Sequence, residues 1–125
     1  MSSQRLKKLE SQLLREVSDI LMREINDPRV AGVTAIGARI SPDLSIATVY
    51  YHNHGATVPL EETEKGLESV RGAVRRIFGK RVRMKYVPEI RFRYDPSLEY
   101  AERIEAILKQ IPPPADADEK DGTEK

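Results

Sequence analysis

Leu6, Leu9, Leu13, Val17, Ile20, Leu21 and Ile25 recur at three- and four-residue steps near the start of the chain. One apolar stripe of this period predicts an amphipathic helix over residues 4–25. Asn26-Asp27-Pro28 ends it, because proline cannot continue a helix and biases Asp27 away from helical geometry. The period then changes to two. Residues 33–40 put Ile36, Ala38 and Ile40 on one face of a strand. Residues 45–52 put Ala47, Val49 and Tyr51 on one face and Ile46, Thr48 and Tyr50 on the other. Ser41-Pro42-Asp43-Leu44 between them is turn chemistry, so the two strands should form an antiparallel hairpin.

Leu60, Thr63, Leu67, Val70, Val74 and Ile77 predict a second helix starting near Pro59. Glu61, Glu62 and Glu64 fall near its positive N-terminal end and the basic residues come late, as the helix dipole favours. A straight helix from 59 to 82 would span ~36 Å, against ~26 Å for an eight-residue strand. A kink at Arg71-Gly72, dividing it into two shorter helices, would remove the overhang. The other reading of Gly72 is a close helix crossing. Gly79 is expected to help end this helix.

Residues 89–94 alternate again, with Ile90, Phe92 and Tyr94 inward and Arg91 and Arg93 outward. A last helix over 98–110 has Leu98, Ala101, Ile104, Ile107, Leu108 and Ile111 as its apolar side, and Pro112 to Pro114 stop it. The order is α-β-β-α-(kink)-α-β-α, an α+β sandwich with helices on one face of a three-stranded sheet. The long crossover before the last strand implies a mixed sheet.

The 125 residues have room for one domain, 1–111, and a tail, 112–125. The tail carries five acids against two lysines and no aliphatic side chain larger than alanine, so it is expected to be disordered. No apolar run is long enough for a membrane span, the N-terminus has no secretory pattern, and cysteine is absent. A cytoplasmic monomer without cofactor or small-molecule substrate is expected.

Catalytic constellations are missing: no nucleophile has an evident histidine partner, and no glycine-rich phosphate loop is present. His52 and His54 form an H-x-H at a strand end, a weak metal signal without a third ligand. An enzyme is not expected. The chain's total charge is only +1, yet Arg71, Arg75, Arg76, Lys80, Arg81, Arg83, Lys85, Arg91 and Arg93 crowd into one stretch with the single acid Glu89. Such a rim suits phosphates, through counterion release and bidentate arginine contacts. The competing readings are an ordinary solvated face, and a protein-interaction module built from the last helix and the acidic tail.

The residues also resemble a known family, bacterial ribosome-binding factor A, over about 5–111. The segments that carry the likeness are Ile25–Val30 (INDPRV), Ile40–Ser45 (ISPDLS) followed by ATVYY, and Arg81–Glu99 (RVRMKYVPEIRFRYDPSLE). The resemblance implies a K-homology-like fold of the second type. It implies binding of the free 30S subunit and its 16S rRNA, rather than 70S ribosomes, with assistance to late maturation of the rRNA 5′ end and a role in cold adaptation. It also implies a helix kink at an Ala-x-Gly, here Val70-Arg71-Gly72. The G-x-x-G loop of ordinary K-homology domains is absent, since Gly66, Gly72 and Gly79 are too widely spaced.

Overall fold

A computed structural model describes residues 3–110. The chain divides into a first unit ending at Asp95 and a second beginning at Pro96. The first unit holds α1 (Ser3–Arg23), a single 3-10 turn at Pro28–Val30, β1 (Thr34–Ile40), β2 (Ile46–His52), α2 (Leu60–Val82) and β3 (Glu89–Tyr94). The second holds α3 (Ser97–Gln110), none of whose side chains is buried. The acidic segment 112–125 lies outside the described residues.

The sheet order is β1-β2-β3, with β1 and β2 antiparallel and β2 and β3 parallel. Leu13, Val17 and Ile20 of α1 and Leu67, Val74 and Phe78 of α2 meet Ala47, Val49, Tyr51 and Ile90 of the sheet in one buried core. The alternation in β2 and β3 is as the period-two pattern predicts. In β1 it is not. The register slips between Ala35, opposite Tyr51, and Gly37, opposite Tyr50, so Ile36 is the extra residue of a bulge. Ile36 is therefore 40% exposed, and Ala35 joins Ala38 and Ile40 against the core in its place. At the far end of β1, Glu10 of α1 accepts the Ile40 N–H at 2.8 Å.

The hairpin turn is held by its own side chains. Asp43 accepts from the hydroxyls of Ser41 and Ser45 at 2.8 Å each and from the Ser45 N–H at 3.1 Å, and Leu44 takes a left-handed φ of 63°. Before β1, Asp27 caps the 3-10 turn by accepting the Arg29 N–H, and the Arg29 guanidinium closes on the same carboxylate.

Helix α2 corrects the sequence reading in three places. It runs without a break through Val70, Arg71 and Gly72, so it is not two shorter helices. Gly72 is exposed, and a Cβ there would meet nothing within 4 Å, which also excludes a close crossing. The overhang is used instead of avoided: α2 packs on the Pro28–Val30 turn, on β3 and on α1. The glycines under steric pressure are others. A Cβ on Gly66 would stand 2.8 Å from Arg29 Cβ, and one on Gly79 would stand 2.7 Å from Val87 Cγ2. Gly79 thus lies inside the helix, where the returning chain presses close, and does not end it. The cap is Arg83, in a left-handed conformation (φ 59°), whose N–H donates to Gly79 O at 2.9 Å. Phe78, outside the predicted stripe, is fully buried.

Candidate nucleic-acid interface

The last three turns of α2 present Gly72, Arg75, Arg76, Gly79 and Lys80 to a groove. Its other walls are the hairpin turn (Asp43, Leu44, Ser45) and the chain after α2 (Met84, Lys85, Tyr86, Val87). The groove is open and encloses about 1300 Å³. Helical spacing explains why these residues share a face, since 72, 76 and 79–80 recur at three- and four-residue steps. The left-handed cap at Arg83 then turns the chain back along the helix, so residues 84–87 form a wall instead of leaving the unit.

Four cations, Arg75, Arg76, Lys80 and Lys85, line this groove with one carboxylate, Asp43. Arg75 also has a structural task, donating from Nη2 to Val87 O at 2.8 Å and so pinning the wall to the helix. Tyr86 is 76% exposed, and Lys85 Nζ lies 5.5 Å from its ring centroid. Among the described residues, Arg76, Lys80 and Arg83 have no carboxylate partner. The hydroxyl and amide donors on Asp43 hold its carboxyl below the ordinary range, so it stays charged at the groove's rim.

The remaining predicted site residues lie elsewhere. Arg81 turns to α1 and pairs with Asp19 at 2.8 Å, Glu16 at 3.1 Å and Glu24 at 3.3 Å. Its charge is absorbed by the fold, which corrects its place in a continuous cationic rim. Arg71 pairs with Glu68 at 2.9 Å and approaches Glu89 at 3.6 Å, and Arg91 pairs with Glu89 at 3.0 Å. Hydrogen bonding and charge from Arg91, then the field of Arg71, keep Glu89 acidic. Arg91 and Arg93 are exposed on β3, alternating with the core residues Ile90 and Phe92. The rim is thus a groove with two neutralised neighbours and a separate pair of arginines on the sheet. Asp43, Met84 and Tyr86 escape the sequence pattern: the first reads only as a turn residue, and the other two lie in a segment with no clear period.

Other chemistry is sparse. His54 N–H donates to His52 Nδ1 at 3.3 Å, and no group of three or more metal-ligating side chains forms among the described residues. No described helix is long and apolar enough to cross a membrane.

The sequence model described as "Ribosome-binding factor A" matches residues 5–108. Ribosome-binding factor A of Geotalea uraniireducens is 45% identical over 94 residues, 75% of this chain and 77% of the relative. The crystal structure of ribosome-binding factor A from Thermus thermophilus superposes with a TM-score of 0.63 at 27% identity, covering 71% of this chain and 94% of that one. Coordinates of the Thermus thermophilus factor fitted into the cryo-EM map of its 30S complex give 0.59 at 27% identity, covering 71% and 93%. The three-stranded sheet and its helices are accordingly a K-homology-like fold of the second type. With a match over most of its length and a relative this similar, the chain belongs to the ribosome-binding factor A family.

Proposed function

We propose that this chain binds the free 30S subunit through 16S rRNA, acts by binding and not by catalysis, and assists late maturation of the rRNA 5′ end, including growth in the cold. It works as a cytoplasmic monomer. The observation that carries this reading is the groove, where four cations face one carboxylate and neither Arg76 nor Lys80 has an acidic partner among the described residues. The Thermus thermophilus relative fitted into a 30S complex supports the choice of partner.

An RNA strand in the groove would neutralise phosphates on Arg76, Lys80 and Lys85, with Arg83 at the helix exit. Tyr86 offers an exposed ring for a base, and Asp43 repels backbone from the turn side and sets the strand's path. Arg71 and Arg91, sharing Glu89, hold the edge of the sheet against α2 and contribute less charge. Arg81 serves the site by fixing α2 on α1.

Cosedimentation with purified 30S and 70S particles tests this directly. The wild-type chain should travel with free 30S, and the double variant Arg76→Glu/Lys80→Glu should not, while keeping its circular dichroism spectrum. Equal cosedimentation of the two proteins would remove the groove from the mechanism.

A further inference from the structure

The outer face of the sheet, opposite the core, holds chemistry that the groove does not use. The register places Arg39, Thr48 and Arg91 in one row across the three strands. The next row is Gly37, Tyr50 and Arg93. Neighbours in a row stand one strand spacing apart, ~4.8 Å. Tyr50 is half-buried in the middle strand. On one side it has Gly37, where a Cβ would meet nothing within 4 Å, with the exposed bulge residue Ile36 next to it in the strand. On the other side it has Arg93. Arg39 and Arg93 are exposed and have no carboxylate partner among the described residues, while Arg91 shares Glu89 with Arg71.

We propose that this face, centred on Tyr50 and flanked by Arg39 and Arg93, is a second RNA contact that takes an unpaired base. The ring supplies a stacking plane, the gap over Gly37 leaves room for a base to lie on it, and the guanidiniums on either side meet the adjoining phosphates. A duplex fits poorly, because its bases are already stacked and only its backbone would reach the arginines. An acidic peptide would use the arginines and leave the ring without a role. The inference rests on the rRNA-binding reading and deepens it: the groove holds backbone, and the sheet face selects single-stranded RNA.

The test measures binding of the full chain to a short fluorescein-labelled single-stranded RNA and to an RNA duplex by anisotropy. Tyr50→Leu should weaken the single strand roughly tenfold, the loss of one stacked base, and leave the duplex unchanged. Tyr50→Trp, which keeps a stacking plane, should restore it. If Tyr50→Leu fails to fold, Tyr50→Thr, which keeps a strand-favouring residue and removes the ring, carries the test. Selective loss of single-strand binding supports the proposal. Unchanged single-strand affinity, or equal loss on single strand and duplex, overturns it. The groove variant Arg76→Glu/Lys80→Glu is measured in parallel with 30S particles: if it binds them as wild type does, the rRNA reading of the groove fails whatever Tyr50 does.

Discussion

Arg81 Nη1 lies 2.8 Å from Asp19 Oδ2, joining α2 to α1 between residues 62 positions apart in sequence. Glu16 and Glu24 complete the shell around the guanidinium. An arginine in the middle of a basic run is here a clasp between helices.

Arg81→Ala should therefore lower the thermal midpoint and leave 30S binding per folded molecule unchanged. Its effect depends on acid in a defined direction. The hydrogen bond from Arg81, followed by that from Arg23, holds the Asp19 carboxyl below its ordinary range. A carboxyl depressed on folding contributes stability that is full above its unfolded pKa, about 4, and is lost as pH falls through the lower folded value. Thermal melts from neutral pH downward should show wild type and variant converging below about pH 4. A constant gap at every pH would refute the clasp.

Charge reversal in the groove should change the salt dependence as well as the affinity. If Arg76 and Lys80 each neutralise one phosphate, Arg76→Glu/Lys80→Glu lowers the magnitude of the slope of log K against log salt by about 1.5. Binding titrations at several salt concentrations read this number. A weaker complex with the original slope would mean that these side chains act through shape and not through counterion release.

The glycines of α2 should divide by sign. Gly72→Ala adds a methyl to open space on a helix and should stabilise by about 0.5–1 kcal/mol. Gly79→Ala drives a Cβ to within 2.7 Å of Val87 Cγ2 and should destabilise by about 1–3 kcal/mol, disturbing the groove wall as it does so. Urea unfolding of the two variants separates them. Destabilisation by Gly72→Ala would show that the backbone at that position needs glycine for a reason beyond space.

Thr63 is buried at 0% exposure, and its hydroxyl has no hydrogen-bond partner among the described residues. Thr63→Val keeps the shape and removes the orphan group, so it should stabilise by about 1 kcal/mol or more. Phe78→Ala, by contrast, empties the centre of the core and should cost about 3–5 kcal/mol. Denaturant midpoints decide both.

Most of the fold was legible because its periods are clean. The stripe of α1, the alternation of β2 and β3 and the turn at Ser41–Leu44 are local patterns, and each gave its element within two residues. What escaped depends on non-local packing. The bulge at Ile36 is a mismatch between two strands and cannot be seen in one. Gly72 stands out in the sequence as a mid-helix glycine, yet the α2 glycines that fit tight places are Gly66 and Gly79, whose neighbours Arg29 and Val87 lie outside the helix. The overhang that suggested a kink was measured against the sheet alone and omitted α1 as a further support. At the site, the basic run was visible as composition. Its division among groove, clasp and sheet was not, because Glu16, Asp19 and Glu24, which claim Arg81, come from the far end of the chain.

The parallel pairing of β2 with β3 has a consequence for how the binding surface comes into being. The hairpin of β1 and β2 is local and can close on a microsecond scale, about 1–10 μs for such a unit. The third strand pairs with β2 only across a crossover that contains the whole of α2, so the segment 84–87 facing the hairpin turn is its non-local partner. One wall of the groove is therefore a local unit and the other depends on contacts distant in sequence. A chain in which β3 has not yet paired would carry the same cations without the cleft that gathers them.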